Sequence, residues 1–218
     1  ADGTRNDIPL FDGFLNPAEY YDGGPAGPLT SQEAAGSIFM GMSDQVGNEI
    51  DEFVTDVLRN HLVGLPLDLA AINMARARSE GVPSLNNFRK QVFAATNDGQ
   101  LAPYTDWVDF GLSLKHPESL VNFVAAYGQH PTITSQTTLE GRRSTADQIV
   151  NGTVLPGPDL TFGVDCGTGT ATVACDDDVF PPTDAADFMF STGDWTTAAG
   201  NVSITGVDSI DLWVGGLA

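Results

Sequence analysis

Positive charge is scarce in this 218-residue chain. Nine Lys and Arg stand against 29 Asp and Glu, a net charge of −20 at pH 7. Phosphate-led nucleic-acid binding needs a basic face, so it is excluded as a partner class. Docking on an anionic membrane is excluded for the same reason. The cations that exist are unevenly placed. No Lys or Arg follows Arg143, and five of the nine fall between Arg59 and Lys90. That clustering reads either as ordinary helix ion pairing or as cations reserved for an anion. Long apolar runs are lacking too. The stretch from Leu65 to Met74 is broken by Pro66, Asp68 and Asn73, far short of the roughly 20 apolar residues of a spanning helix. The first residues, Ala1-Asp2-Gly3-Thr4, are polar and carry no secretory signal pattern. With two Cys and three scattered His, a structural zinc site is not expected. A Gly-rich phosphate loop, a Ser-His-Asp arrangement and a nucleophilic Cys context are also missing.

What is present is a globular composition, with 41% hydrophobic residues. So acidic a surface stays soluble at high salt, which suits a marine or extracellular setting. Cys166 and Cys175 flank Gly-Thr-Gly-Thr-Ala-Thr-Val-Ala, which reads as a short hairpin. A disulfide closing it would fit an oxidising compartment, and two reduced buried thiols are the other reading. Asn151-Gly-Thr and Asn201-Val-Ser match the glycosylation acceptor pattern. Asp176, Asp177 and Asp178, with Asp184 and Asp187 behind them, read either as a solvated acidic loop or as oxygen ligands for Ca²⁺.

Composition shifts near His130-Pro131. Residues 1–130 read as helical with loops, and 131–207 as a loop and strand insertion rich in Gly, Thr, Asp and Pro. Thr30 to Val46 is expected to be a helix, with Thr30 and Glu33 as its capping box. Asn48 to Leu62 carries apolar residues at helical spacing (Ile50, Phe53, Val54, Val57, Leu58, Leu62) and is expected to be a second. Asp68 caps a third, which runs to about Glu80 and stops at Gly81 and Pro83. Further helices are expected over Ser84 to Phe93, Pro117 to Tyr127 and Leu139 to Val150. Thr170 to Ala174, Asn201 to Thr205 and Ile210 to Val214 read as extended. Trp107, Trp195 and Trp213 read as core or loop anchors.

The most informative block is Leu67-Asp-Leu-Ala-Ala-Ile-Asn-Met-Ala-Arg-Ala-Arg78. Leu69, Ile72, Asn73 and Arg76 share one helical face. A buried amide costs a few kcal/mol unless hydrogen-bonded, and a guanidinium one turn on costs more unless it meets an anion. This helix is therefore expected to be largely buried and to offer Asn73 and Arg76 to something polar. The plainer reading gives Asn73 a loop backbone partner and Arg76 a nearby carboxylate.

That block, with Val54-Thr-Asp-Val-Leu-Arg-Asn-His-Leu62 before it and Gly81-Val-Pro-Ser-Leu-Asn86 after it, closely resembles the animal-type haem peroxidases, the peroxidase–cyclooxygenase superfamily. Pro117 to Gly128 resembles the family's helix ending in Tyr-Gly. Asp208-Ser-Ile-Asp-Leu-Trp-Val-Gly-Gly216 resembles its Ile-Asp-Leu-Trp-hydrophobic-Gly-Gly motif. The three occur in family order, and the resemblance covers roughly 7–130 and 208–218. One departure is local: Arg78-Ser79-Glu80-Gly81 stands where the family usually has Arg-Asp-His-Gly.

The resemblance implies a mainly α, peroxidase-like helical scaffold with a small β-rich or loop insertion at 131–207, and a return to the core at 208–218. It implies a secreted oxidoreductase that reduces hydrogen peroxide and oxidises halide or small organic donors. It also implies that the proximal and distal histidines and the distal arginine lie upstream, so that no catalytic residue belongs to these 218. Haem would then be shared with the remaining upstream part of the peroxidase or with a partner subunit. By the same resemblance Asn73 accepts a hydrogen bond from the proximal imidazole, and Arg76 lies beside a haem propionate. His61, His116 and His130 read as surface or capping residues. The reading from a different class is an extracellular, non-catalytic binding or structural module derived from a peroxidase, with Ca²⁺ at the Asp-rich stretch.

Overall fold

A computed structural model describes residues 30–47, 49–62, 65–151 and 182–218. The hairpin of Cys166 and Cys175, the triplet Asp176, Asp177 and Asp178, and the stretch Thr170 to Ala174 lie outside the described residues. The chain divides into two compact units, 1–81 and 82–218.

The first unit contains three described helices. Helix α1, Ser31–Asp44, begins as expected: Thr30 accepts the Glu33 N–H, and the Glu33 carboxylate accepts the Thr30 N–H at 2.9 Å. Helix α2 spans Asp56–Asn60 only, a fraction of the helix expected over 48–62. The Asp51 carboxylate accepts the Phe53 N–H at 2.9 Å, a local turn that competes with helix hydrogen bonding. Thr55 then takes extended dihedrals. Helix α3, Leu69–Ser79, is bounded as expected. The Asp68 carboxylate accepts the Ala71 N–H at 3.0 Å, and Gly81 ends the run at φ 78°. Helices α2 and α3 lie against each other.

The second unit holds α4 (Leu85–Thr96), α5 (Trp107–Leu112), α6 (Ser119–Tyr127), the short α7 (Pro131–Thr134), α8 (Leu139–Asn151), α9 (Pro182–Phe190) and α10 (Leu212–Leu217). Its core is built at helical spacing: Leu120, Phe123 and Val124 from α6, Ala146, Ile149 and Val150 from α8, and Ala185, Phe188 and Met189 from α9. Helix α6 packs along α8, which α7 and α9 also touch, and α10 lies on α4. Trp107, Phe110, Phe123 and Tyr127 form a chain of edge and stacked ring contacts through the middle.

The mainly α class holds. No strand occurs among the described residues, which show one isolated bridge, Ser84 with Asp211. Within 131–207 the described parts are α7, α8, α9 and turns. Residues 201–205 are bends and turns, and Ile210 to Val214 enters α10 behind its cap Asp211. Among the described residues of this stretch, Gly, Thr and Asp serve in caps and tight turns. Gly206 shows why: at φ 101°, an added Cβ would sit 2.1 Å from the Tyr127 carbonyl oxygen.

Candidate functional site

Helix α3 carries both residues expected to face a cofactor. Asn73 is half-buried and Arg76, three residues on, is exposed. The expectation of a buried helix is not met, because no α3 residue is buried. Among the described residues, nothing hydrogen-bonds or ion-pairs with either side chain. The plainer reading, in which a neighbouring loop and carboxylate satisfy them, is therefore not what these residues show. One helix presents an amide and a guanidinium on the same side, both open to a polar group from elsewhere.

The histidines occupy other roles. His61 is exposed, with Nε2 3.6 Å from the Asp56 carboxylate. His116 Nδ1 lies 3.9 Å from Glu118. His130 is the cap of α7, as expected, but it is also buried. Its Nδ1 accepts the Thr132 N–H at 3.4 Å and sits 2.6 Å from the Thr132 hydroxyl, which leaves the other nitrogen, Nε2, to donate to Asp184 at 2.9 Å. The ring stacks on Trp195 and meets Phe188 edge-on. An axial-ligand role would require breaking this set.

Asp184 also accepts the Trp195 indole N–H at 2.9 Å, and Asp187 accepts the Thr192 hydroxyl at 2.6 Å. Both acids suggested as companions of the Asp triplet are thus committed to hydrogen bonds. The Trp195 bond, with help from His130, holds the Asp184 carboxyl below the ordinary aspartate value of 3.8. A lowered folded-state value means stability that is complete above 3.8 and lost as pH falls through the folded value. Asp184→Asn is therefore expected to lower the unfolding midpoint at neutral pH and to match wild type in strong acid. Tryptophan fluorescence during urea unfolding at both pH values checks this, and an unchanged gap in acid contradicts it.

The site that motif reading did not assign joins the quoted motifs themselves. Leu85 N–H donates to the Ile210 carbonyl at 2.8 Å beside the Ser84–Asp211 bridge. Asn86 is buried, and its amide is fully used. It donates to Asp208 at 2.7 Å and to the Tyr104 carbonyl at 2.9 Å, and it accepts the Tyr104 N–H at 2.8 Å. Asp208 further accepts the Ser203 N–H at 2.7 Å and faces Lys90 at 3.4 Å. Tyr127 O–H donates to Asp211 at 2.7 Å. Gly215 is needed for closeness: an added Cβ would lie 2.6 Å from Ile210 and 2.8 Å from Leu85. The segments Gly81–Asn86, Pro117–Gly128 and Asp208–Gly216 therefore meet at one junction. The signal available in sequence was an Asn at the end of one motif and an Asp at the start of another, 122 residues apart.

The model of the family described as animal haem peroxidase matches residues 2–133. The chain belongs to the animal haem peroxidase family. Among curated proteins this peroxidase-family chain is similar to peroxidasin homolog pxn-2 of Caenorhabditis elegans, at 35% identity over 83 residues. That alignment covers 38% of this chain and 6% of the relative, so the chain corresponds to a small part of the curated protein it matches. No solved structure matches it. No helix among the described residues is long and apolar enough to cross a membrane.

Proposed function

We propose that this chain is one part, a processed subunit or a fragment, of a secreted haem peroxidase that reduces hydrogen peroxide and oxidises halide or small organic donors. The observation that carries the reading is α3: within the span matched by the family, it holds Asn73 and Arg76 on one side with no described partner. Those two residues suit haem. The Asn73 carbonyl oxygen is an acceptor for the ring N–H of an iron-bound imidazole, and the Arg76 guanidinium is a donor fork for a propionate. Haem supplies the two-electron reduction of peroxide when bound.

In this reading Asn73 fixes the tautomer and orientation of an imidazole contributed from outside the chain. Its hydrogen bond leaves more negative character on the ring and makes it a stronger donor to iron. Arg76 neutralises a propionate and anchors the haem edge. The distal acid–base work falls to residues outside these 218. Residues 131–207 are read as an insertion and 208–218 as the return to the peroxidase core. The Asn86–Asp208 and Tyr127–Asp211 bonds, which close one motif onto the next, support that arrangement.

The isolated chain, titrated with haem, is expected to give no spectrum of a histidine-ligated iron. The intact parent is expected to oxidise a small phenolic donor only when peroxide is supplied. A histidine-ligated spectrum from the isolated chain that disappears in His61→Ala would overturn the division of labour. An intact parent that holds Ca²⁺ or a partner protein but never turns over peroxide would favour the non-catalytic module.

A further inference from the structure

The three tryptophans of the chain place their indole N–H groups in different surroundings. Trp107 is fully buried and donates to a neutral acceptor, the Thr205 carbonyl, at 3.1 Å. Trp213 is 39% exposed and has no carboxylate on its indole among the described residues. Trp195 is half-buried, and its N–H donates to the Asp184 carboxylate at 2.9 Å. The other Asp184 oxygen accepts from Nε2 of the buried His130, so two N–H donors fix the carboxylate in place. The His130 ring stacks on the indole at 5.1 Å between centres, and Phe188 meets it edge-on at 4.9 Å. One indole is thus clamped between rings, partly open to solvent, and paired with a fixed anion. Trp195, Asp184, His130 and Phe188 all lie within the second unit.

That pairing has a chemical consequence. Taking one electron from an indole leaves positive charge on the ring and makes its N–H strongly acidic. A carboxylate 2.9 Å away lowers the cost of that charge and stands ready for the proton. Solvent reaches part of Asp184, which weakens this attraction without removing it. A neutral carbonyl in a dry core offers neither service, which sets Trp107 apart. Tyr104 faces the opposite field, with the Arg89 guanidinium 4.2 Å from its ring centre. Tyr127 does have a carboxylate, Asp211, but a phenol must give up its proton as the electron leaves, whereas an indole can hold the hole with its N–H bond intact. We propose that Trp195 is a redox-active residue, the place where this chain yields an electron to a strong one-electron oxidant and regains one from a phenolic donor too large to enter a buried pocket. In the balanced step Trp195 loses one electron and the oxidant gains it, while the N–H proton is shared with Asp184 or passes to it. The phenol then returns one electron, the proton goes back to the indole, and the phenol, now a phenoxyl radical, releases its own proton to water. A haem that has reacted with peroxide belongs to this class of oxidant, so the role of the site in the parent rests on the peroxidase reading.

The test uses the full chain without haem, and tris(bipyridine)ruthenium(III) generated by a light flash as the oxidant. Electron paramagnetic resonance and transient absorption are expected to show a tryptophan radical. Trp195→Phe is expected to abolish most of it, and Trp213→Phe to leave it nearly unchanged. Asp184→Asn keeps an acceptor oxygen but removes the charge. With near-ultraviolet circular dichroism showing a native fold, it is expected to shorten the radical's lifetime by roughly tenfold or more. A Trp195 that served only as a packing anchor would give the same lifetime with Asp or Asn at this position, and that result would overturn the proposal. A radical that survives Trp195→Phe and disappears in Trp213→Phe or Tyr127→Phe would overturn it too. A dextran bearing phenol groups, too large to enter the fold, is expected to speed the radical's decay in proportion to its concentration. Decay indifferent to the dextran would contradict the surface donor site. Haem enters none of these measurements, so failure here and failure of the peroxidase reading remain separate results.

Discussion

Asp208→Ala is expected to destabilise the second unit by about 2–4 kcal/mol, among the largest effects of any single substitution here. The carboxylate sits at the centre of the motif junction. Removing it leaves one N–H of the buried Asn86 amide and the half-buried Ser203 N–H without their acceptor, and Lys90 without its nearest carboxylate. Each orphaned buried donor costs about 1–3 kcal/mol. Asp208→Asn is expected to fall between wild type and the alanine variant, because it keeps one acceptor oxygen but offers an N–H₂ where Ser203 N–H already points. All three tryptophans, Trp107, Trp195 and Trp213, belong to the second unit, so fluorescence during urea unfolding follows that unit alone. The midpoint should drop with little change in slope. An unfolding free energy within about 0.5 kcal/mol of wild type, the range of an ordinary surface change, would mean that the junction contributes little to stability.

The second large effect is functional. In the intact parent, Asn73→Ala is expected to leave haem content nearly intact while lowering peroxide turnover by roughly 10- to 100-fold, the usual cost of losing a hydrogen-bond partner of a metal ligand. The iron potential should shift upward, because the imidazole loses the acceptor that makes it a stronger donor. Arg76→Ala should act differently, lowering haem retention more than turnover per bound haem. The two readouts separate an acceptor for the imidazole from an anchor for the propionate. If both variants kept wild-type turnover, spectrum and haem retention, the roles assigned to these residues would be wrong.

Helix ends were legible where local chemistry decides them. The Thr30–Glu33 box and the Asp68 cap with its Gly81 stop sit where side chains and a left-handed glycine dictate, and Gly128 follows Tyr127 where an added Cβ would collide with the Val124 carbonyl. Apolar spacing alone misled over 48–62. Ile50 and Phe53 kept the helical period, but the Asp51 turn offered the backbone a competing hydrogen bond, and both side chains are exposed. Gly, Thr and Asp enrichment suggested strands at 201–205 and 210–214, yet these described residues form turns and the start of a helix. Helix α5 was missed although Asp106 caps it by accepting the Asp109 N–H at 2.8 Å. Long-range pairings left the weakest trace. Asn86 with Asp208 and His130 with Asp184 are set by how helices pack, and neither has a local pattern. Asn73 and Arg76 stood out because a polar pair on an otherwise apolar face demands an explanation before any contact is known.

We propose that Asn73 and Arg76 touch a haem held by residues outside this chain. The absorption spectrum of the native assembly purified with this chain tests it most directly. A Soret band that shifts on addition of peroxide is expected, with one haem per copy of the chain, and no such band once the chain is isolated under conditions that release its partner. An assembly that contains the chain in full yield and shows no haem absorption would contradict it.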